Sequence, residues 1–320
     1  MRALVTGAAG FLGRHVVARL LAEQVAVRAL VRREHAALPA AAEQIVGDIC
    51  DEGAVARAVA GVDWVIHTAA RVATSGTWAE FEAANVAGTE LVLRTAAAAG
   101  VARVVHVSSL SVYAVPANGV TITEDSPYEA GAGERGFYSK SKLIADRLVM
   151  QAAHGGAPAT VVRPGLLYGP GRRPPLARQA VALGPARVIL GSRKYLMPMS
   201  YVENTAAALL LAARAEGAAG RAYTVVDANV PHAEYARRYR QAAGQQWQAV
   251  YVPAGLLMPL ARCAELASAV IRRAAPLTRH QLRRATWSAF YDCARAEREL
   301  GWRPQVDLEE GLRRSFAAID

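Results

Sequence analysis

The sequence contains few cysteines and no long apolar segment, and these two shortages exclude several classes of protein. Its 320 residues include three cysteines, Cys50, Cys263 and Cys293, and no two of them form a CxxC pair. We therefore expect neither a disulfide framework nor a metal site, and a reducing, cytoplasmic location fits this composition. No run of about 18 apolar residues occurs, and a strand pattern begins directly after Met1, so we expect no membrane-spanning helix and no signal peptide.

Acidic residues are outnumbered by basic ones, which gives the chain a formal net charge of +10. An excess of positive charge can favour binding to nucleic acids, anionic membrane surfaces or acidic ligands. The basic residues are scattered or occur in short pairs such as Arg32-Arg33 and Arg172-Arg173, and no basic stripe is interleaved with aromatic residues. We therefore expect no nucleic-acid partner.

Short apolar strand patterns alternate with helical patterns over the first half of the chain. This alternation is typical of an α/β fold with a doubly wound, Rossmann-type parallel sheet. Ligands of such sheets bind outside the carboxyl ends of the strands, so the residues that end each strand become the candidates for a site. The six predicted strands lie near 2–6, 25–31, 44–46, 62–66, 103–107 and 159–162.

The alternation degrades in the second half of the chain, without an internal repeat or a clear linker. We assign residues 1–170 to the domain of this sheet, to which part of 200–230 returns. Residues 171–320 are assigned mainly to a smaller, interleaved C-terminal α/β region. The elements predicted there are a helix and a strand within 174–192, helices at 203–216 and 232–245, a strand at 221–227 and apolar helical segments over 254–286.

A glycine-rich turn follows the first strand. Gly7, Gly10 and Gly13 are spaced GxxGxxG between a strand and a helical pattern, the context that a dinucleotide fingerprint requires. The first glycine allows a tight turn, the second lets the backbone approach a pyrophosphate, and the third allows close packing of the helix. Phe11 and Leu12 open the helix, whose N-terminus faces the phosphates. A plain turn in a protein that binds no nucleotide is the weaker alternative.

Two arginines, Arg32 and Arg33, end the second strand. An acidic residue at this place bonds the ribose hydroxyls of NAD, whereas an arginine accommodates the 2′-phosphate of NADP. No acidic residue stands at the strand end, and Glu34 lies beyond both arginines. The sequence therefore favours NADP, with NAD as the alternative cofactor if both arginines are simply solvated.

Small and polar residues end the next two strands of the predicted sheet. Asp48, followed by Ile49, is placed to accept a hydrogen bond from an adenine amino group. Ala69 and Ala70 would let the cofactor pass close to the sheet. We interpret His67, which ends the fourth strand, as a packed strand-end histidine rather than a catalytic one.

Tyr138 and Lys142 lie four residues apart and so share one face of a predicted helix. An ammonium beside a phenol favours the phenolate and lowers the pKa of the tyrosine from its reference near ~10, which suits a proton donor and acceptor near neutral pH. Upstream, Ser108 and Ser109 end the fifth strand, where a hydroxyl can donate to a substrate oxygen or serve only turn chemistry. A long helix is predicted over 79–99, and Asn85 within it is equally a structural bridge or a cofactor contact.

Seven motifs and a C-terminal segment occur along nearly the whole chain in an order that one family shares. The motifs are TGAAGFLG (6–13), GDI (47–49), HTAA (67–70), NVAGT (85–89), SSLSVY (108–113), YSKSK (138–142) and RPGLLYGPG (163–171), and the C-terminal segment is AERELGWRP (296–304). Together they resemble an extended short-chain dehydrogenase/reductase of the NAD-dependent epimerase/dehydratase superfamily. The resemblance implies an NAD(P)-binding Rossmann domain with a smaller C-terminal substrate domain.

The same resemblance implies roles for individual residues. Tyr138 would be the catalytic acid/base, Lys142 would lower its pKa and hold the nicotinamide ribose, and Ser109 would be the catalytic serine. Pro164 and Leu167 match positions that contact the nicotinamide end. The cofactor-binding positions predicted in total are Gly7, Gly10, Phe11, Leu12, Gly13, Arg32, Arg33, Asp48, Ile49, Ala69, Ala70, Ser108, Tyr138, Lys142, Pro164 and Leu167.

Within the family, the segment Tyr201-Val202-Glu203-Asn204 resembles the 3β-hydroxysteroid dehydrogenase-like branch. That branch includes sterol dehydrogenases and bacterial reductases of long-chain 3-keto acids, which implies interconversion of a ketone and a secondary alcohol on a hydrophobic substrate. The apolar stretch from Gly255 to Leu260 would fit a pocket wall or a helix in peripheral contact with a membrane, and packing within the C-terminal lobe explains it equally well. A homodimer is common in the family and is expected here.

A nucleotide-sugar 4-epimerase with tightly bound NAD is the alternative on the same scaffold. Sugar-nucleotide members often carry an arginine that clamps the diphosphate where this chain has Met197, and a thioether cannot replace it. Arg193 or Lys194 would have to substitute from a shifted register. A non-catalytic sensor of NADP is disfavoured by the intact Ser/Tyr/Lys set, because regulatory relatives usually lose one member.

Overall fold

The chain folds around one large sheet, with smaller sheets and helices beside it. The residues that the computed structural model describes are 1–73, 75–130, 136–176, 180–253, 255–256, 258–259, 261–263 and 288–318. The strands are β1 (Arg2–Thr6), β2 (Ala26–Val31), β3 (Ala42–Val46), β4 (Trp64–His67), β5 (Arg103–Val107), β6 (Val120–Ile122), β7 (Ala159–Pro164), β8 (Leu166–Tyr168), β9 (Ala180–Leu183), β10 (Ala186–Leu190), β11 (Leu196–Tyr201), β12 (Ala222–Val225), β13 (Ala228–Pro231), β14 (Gln248–Val252) and β15 (Ala289–Tyr291). The α-helices are α1 (Phe11–Ala22), α2 (Glu52–Val59), α3 (Trp78–Glu82), α4 (Gly88–Ala98), α5 (Phe137–His154), α6 (Val202–Arg214), α7 (His232–Ala242), α8 (Ala294–Leu300) and α9 (Leu308–Ala317).

The large sheet has seven strands, all parallel, in the order β12-β7-β5-β4-β1-β2-β3. This arrangement confirms the predicted doubly wound Rossmann sheet, and all six predicted strands belong to it. The strand order reverses between β1 and β4, and a crevice opens at the carboxyl ends of strands on either side of such a reversal. The seventh strand, β12, pairs with β7 at the edge of the sheet.

Both faces of the sheet are buried, which explains why its strands read as nearly continuous apolar runs. Successive residues of β1 point to opposite faces. Ala3 and Val5 pack with residues of α1 and α6 on one face, and Leu4 packs with residues of α2, α4 and α5 on the other. The helices on the two faces thereby hold the glycine turn and the Tyr138 helix at one end of the sheet.

The C-terminal part of the chain adds two three-stranded sheets, in the orders β13-β11-β8 and β14-β10-β9. An aromatic-rich core joins them to α7 and α9, with Tyr168, Tyr201, Tyr235 and Trp247 at its centre. Because β8 follows β7 after the single residue Gly165, this smaller region is placed directly beside the end of the large sheet.

The helix predicted within 174–192 is wrong for the residues that the structure describes. Ala180–Leu183 and Ala186–Leu190 form an antiparallel pair, and β10 also pairs with β14. The physical reason is the turn between them, where Gly184 adopts a positive φ of 54° beside Pro185, a combination that ends a helix and closes a hairpin.

Two further helix predictions have mixed outcomes. The helix expected over 79–99 is interrupted by a π-helical turn at Ala83–Ala87, between α3 and α4. Most of the apolar segment predicted to be helical over 254–286 lies outside the described residues. Among the helices that are described, none has both the length and the apolar character needed to cross a bilayer.

Candidate active site

The glycine turn after β1 has room for almost no side chains. Gly7 adopts a φ of +67°, and a Cβ there would lie 2.8 Å from the backbone of Ala69. A Cβ on Gly13 would lie 2.1 Å from the carbonyl oxygen of Gly7, so only glycine lets α1 approach the turn this closely. No described side chain caps the N-terminus of α1 at Gly10. Its unpaired backbone N–H groups therefore face the crevice, as an anion site requires.

A cleft of about 1080 Å³ opens at this end of the sheet, over the carboxyl ends of β1, β2, β4, β5 and β7. The structure brings every site residue predicted from the sequence into the lining of this one cleft. These residues are Gly7, Gly10, Phe11, Leu12, Gly13, Arg32, Arg33, Asp48, Ile49, Ala69, Ala70, Ser108, Ser109, Tyr138, Lys142, Pro164 and Leu167.

The end of β2 presents two exposed arginines, Arg32 and Arg33, to the cleft. Glu34 is exposed and does not line it. Asp48, which follows β3, also lines the cleft. It accepts a hydrogen bond from the backbone N–H of Cys50 at 2.9 Å, which fixes its carboxylate near the cleft wall. This corner of the cleft is thus cationic, as the sequence analysis expected.

The two serines after β5 differ in what their hydroxyls can still do. Ser109 caps the short 3-10 turn Leu110–Val112, where its Oγ accepts from the N–H of Ser111 at 3.1 Å. That contact uses an oxygen lone pair and leaves the hydroxyl hydrogen for a ligand in the cleft. Ser108 is buried, and its Oγ finds no hydrogen-bond partner among the residues described. Both hydroxyls line the cleft, and Ser109 is the more accessible donor.

Tyr138 and Lys142 lie in the first two turns of α5, which starts after Gly136 at a positive φ of 85°. Tyr138 is half-buried at the cleft wall, whereas Lys142 is buried. The Nζ atom of Lys142 donates to the carbonyl oxygen of Val107, the last residue of β5, at 2.5 Å. Burial lowers the pKa of Lys142 to about 8, against the opposing charge of Asp146 one turn further along the helix. The lysine is therefore held in place and still mostly charged at pH 7.

His67 is a packed strand-end residue, as the sequence analysis interpreted it. It is buried, and its ring nitrogens contact the hydroxyls of Thr6 at 2.7 Å and Thr89 at 3.0 Å. Burial, with the nearby charge of Lys142 acting in the same direction, lowers the pKa of His67 to about 3. A neutral imidazole with both nitrogens engaged cannot transfer protons in the cleft, so its role is structural.

Asn85 is a structural bridge, which answers the alternative left open by the sequence. It is buried in the π-helical turn, and its Oδ1 accepts from the N–H of Arg71 at 2.6 Å. Its Nδ2 donates to the carbonyl oxygen of Arg71 at 3.2 Å and to Oγ of Ser141 at 2.9 Å. One amide therefore ties the segment after β4 to the helix that carries Tyr138 and Lys142.

A buried ion pair lies beneath the site and joins α5 to the end of β7. The guanidinium of Arg163 donates to both carboxylate oxygens of Asp146, at 2.9 and 2.7 Å. Arg163 also donates to the hydroxyls of Tyr113 and Tyr128, each at 2.8 Å. Tyr128 in turn donates to Asp146 at 2.7 Å. Because Pro164 follows Arg163 directly, this network sets how the cleft wall meets the Tyr138 helix.

Four ionisable residues that the sequence analysis missed also line the cleft: His35, Arg71, Glu80 and Arg172. The backbone N–H of His35 donates to Oε1 of Gln44 at 2.9 Å, which pins the segment after β2 against β3. The guanidinium of Arg172 lies 5.5 Å from the ring centroid of Phe11, beside the glycine turn. A signal existed for two of them, since His35 lies two residues beyond Arg33 after β2 and Arg71 follows the end of β4.

Comparisons with known proteins agree with this geometry. A model of the NAD dependent epimerase/dehydratase family matches residues 3–225. A 2-alkyl-3-oxoalkanoate reductase of Stenotrophomonas maltophilia is 32% identical over 99% of this chain and 99% of its own length. A 3 beta-hydroxysteroid dehydrogenase/Delta 5-->4-isomerase of Mycobacterium tuberculosis is 30% identical over 97% of this chain and 88% of its own. The solved structure of MoeE5 with UDP-glucuronic acid and NAD is similar at a TM-score of 0.74 and 26% identity, covering 100% of this chain and 99% of that one.

The fold, the cleft and these relatives together define an NAD(P)-dependent oxidoreductase. The chain belongs to the NAD-dependent epimerase/dehydratase family, and its relatives confirm the predicted extended short-chain dehydrogenase/reductase of the 3β-hydroxysteroid dehydrogenase-like kind.

Proposed function

We propose that this protein uses NADPH to interconvert a ketone and a secondary alcohol in an apolar substrate, with Tyr138 as the acid/base. The observation that carries the proposal is that Ser109, Tyr138 and Lys142 line the same cleft as the glycine turn. A nicotinamide cofactor, when bound, supplies the hydride for such a reaction. The protein then has to position the substrate and to exchange one proton with its oxygen.

The residues of the cleft fit a dinucleotide. The turn at Gly7 and Gly13 excludes side chains from the place where a pyrophosphate would approach the backbone. The N–H groups at the start of α1 have no described side-chain cap and can bind phosphate oxygens. Arg32 and Arg33 would hold a 2′-phosphate, because a guanidinium pairs well with a phosphate dianion.

In the reducing direction, the proposed roles of the three polar residues follow from their contacts. The free hydrogen of the Ser109 hydroxyl would bond the ketone oxygen and stabilise the charge that develops on it. The Tyr138 hydroxyl would donate its proton to that oxygen, and the reverse reaction would return it. The ammonium of Lys142, held by the carbonyl of Val107, would favour the phenolate that remains.

The apolar nature of the proposed substrate rests on the cleft and on the relatives. Val72, Ala73, Ala84 and Leu167 line the cleft, and Val72 is 65% exposed, so apolar surface is available to a ligand. The relatives named above act on a 3-oxoalkanoate and on a 3β-hydroxysteroid by their names. Each compound carries a ketone or secondary alcohol on an apolar hydrocarbon skeleton, and the oxoalkanoate also carries a carboxylate. Met197, where sugar-nucleotide enzymes often carry an arginine, is buried in the aromatic-rich core and offers no charge to a diphosphate.

The proposed cofactor preference predicts the effect of removing the charges after β2. In the double variant Arg32→Ala with Arg33→Ala, the Kd for NADPH should rise at least tenfold, since a hydrogen bond to a charged group contributes about 1.5–3 kcal/mol. The Kd for NADH should stay within about twofold, because NADH has no 2′-phosphate. Fluorescence titration of both nucleotides measures this. Arg94→Ala, an exposed arginine outside the cleft, is the control, and an equal loss for NADPH and NADH would refute the assignment.

The proposed reaction is tested by substrate and by bound nucleotide. The purified protein should bind NADPH exchangeably and oxidise it in the presence of long-chain 3-keto acids or ketosteroids. UDP-glucose should produce neither NADPH oxidation nor a C4 epimer. Tightly retained NAD together with epimerisation of a sugar nucleotide would overturn the proposal and favour the epimerase.

A further inference from the structure

A second cavity lies in the C-terminal part of the chain and shares no lining residue with the dinucleotide cleft. Its volume is about 650 Å³, within the range of roughly 300–1,000 Å³ typical of small-molecule sites. One wall is α7, through Ala233, Ala236 and Arg240, and the other is the segment 245–251, which includes β14. Pro185, which precedes β10, and Arg193, which follows it, complete the lining. None of the proposed catalytic or cofactor-binding residues belongs to it.

Two arginines line this cavity, and each lies against a different aromatic ring. The guanidinium of Arg240 lies 5.0 Å from the ring centroid of Trp247, and that of Arg193 lies 5.9 Å from the ring centroid of Tyr251. Nη1 of Arg240 donates to the carbonyl oxygen of Trp247 at 2.9 Å, which fixes the side chain. Burial raises the pKa of the Tyr251 hydroxyl, and the charges of Arg193 and Arg240 both act against that rise.

These two charges are not neutralised within the part of the chain that the structure describes. No described carboxylate forms a salt bridge with Arg193 or Arg240. The neighbouring arginines of α7 behave differently, since Arg237 and Arg238 both pair with Glu234 at 2.7 Å. Two uncompensated guanidiniums that line one cavity repel each other, and an anion bound in that cavity would reduce the repulsion.

We propose that this cavity binds a small phosphate-bearing anion. Two guanidiniums carry a charge of +2, which a phosphate monoester of about −1.5 to −2 at pH 7 balances and a carboxylate does not. The planar fork of arginine suits phosphate oxygens, and stacking on an aromatic ring fixes the fork before the ligand arrives. Gln246 and Gln248, which also line the cavity, can bond the remaining oxygens. The site is independent of the reaction proposed for the cleft.

Phenyl phosphate is the probe for this site, titrated by calorimetry into the full-length protein with the dinucleotide cleft saturated by NADPH. We expect one saturable site, which weakens at least tenfold in Arg193→Gln and in Arg240→Gln, because each removes a charge-assisted contact. Arg237→Gln, on the same helix but paired with Glu234, should bind as the unmodified chain does. Benzoate, with the same ring and a single charge, should bind at least tenfold more weakly.

Arg193→Gln keeps the test decisive if loss of the Arg240 contact to Trp247 disturbs the fold, since the Arg193 side chain makes no comparable hydrogen bond with any residue that the structure describes. Its melting temperature is measured alongside the titration. Binding that is absent, that survives in both arginine variants, or that is as tight for benzoate as for phenyl phosphate would overturn the proposal. The double variant Arg32→Ala with Arg33→Ala should bind phenyl phosphate normally, and a loss there would place the binding in the dinucleotide cleft instead.

Discussion

Replacement of Tyr138 by phenylalanine is expected to lower kcat by about 10²–10⁴-fold, the range by which a positioned general acid accelerates a reaction. The hydroxyl is the only group removed, and the ring keeps its half-buried place on the cleft wall. Nothing else in the proposed chemistry donates the proton that the reduced oxygen needs. The Kd for NADPH should stay within about twofold, because the glycine turn and the arginines after β2 are unchanged. Steady-state NADPH oxidation with an established substrate, together with a nucleotide titration, separates the two effects.

A second tyrosine variant serves as the control. Tyr195→Phe removes a hydroxyl that does not line the cleft, and its kcat should match that of the unmodified chain. Ser109→Ala should retain Tyr138 as the proton donor and lose only the stabilisation of the developing charge, so we expect a smaller loss than for Tyr138→Phe. If Tyr138→Phe kept full turnover with a proven substrate, Tyr138 would not be the acid/base.

The cleft residues that the sequence analysis named could be predicted because local constraints fix them. Gly7 and Gly13 stand where a Cβ would collide with backbone, and that requirement is visible in a glycine spacing between a strand and a helix. Tyr138 and Lys142 share a helix face by their spacing alone. Strand ends of a parallel sheet meet at one edge, so residues far apart in sequence, such as Ser109 and Arg32, could be placed in one site before the structure was known.

Other parts of the fold depend on pairings that no local pattern records. The apolar residues on either side of Gly184 are compatible with a helix or with strands. They form strands because β10 pairs with β9 and β14. Asn85 could not be assigned from the sequence, because its partners, Arg71 and Ser141, come from different segments. The pairing of Arg163 with Asp146 was equally hidden, since it joins two different elements beneath the cleft.

That buried pair leads to the largest expected effect on stability. Asp146→Asn should lower the free energy of unfolding by about 3–5 kcal/mol, the loss typical when one partner of a buried salt bridge is removed. The side chains of Arg163 and Asp146 are 2% and 0% exposed, so the guanidinium would stay in the protein interior without the carboxylate that now receives two of its hydrogen bonds. Urea unfolding followed by circular dichroism measures the change.

The exposed pair Arg94 and Glu52 is the matched control. Their side chains are 67% and 74% exposed at a distance of 3.0 Å, so Glu52→Gln should change the stability by at most about 1 kcal/mol. If Asp146→Asn and Glu52→Gln had equally small effects, the buried pair would not hold α5 against β7, and the account of the cleft wall given above would be wrong.

A double replacement distinguishes the cost of a stranded charge from the value of the pair itself. Asp146→Leu with Arg163→Met removes both charges and keeps similar volumes, and apolar replacements of whole buried ion pairs are often neutral. We expect this variant to recover most of the stability that Asp146→Asn loses, apart from the hydrogen bonds that Tyr113 and Tyr128 make with the pair.

Asp146 also lies one turn beyond Lys142, and its charge opposes the fall in the pKa of that lysine on burial. Even a fully stable double variant should therefore have a lower pKa at Lys142, so that a smaller fraction of the lysine is charged near pH 8. We expect kcat to begin its fall at a lower pH on the alkaline side of the pH profile.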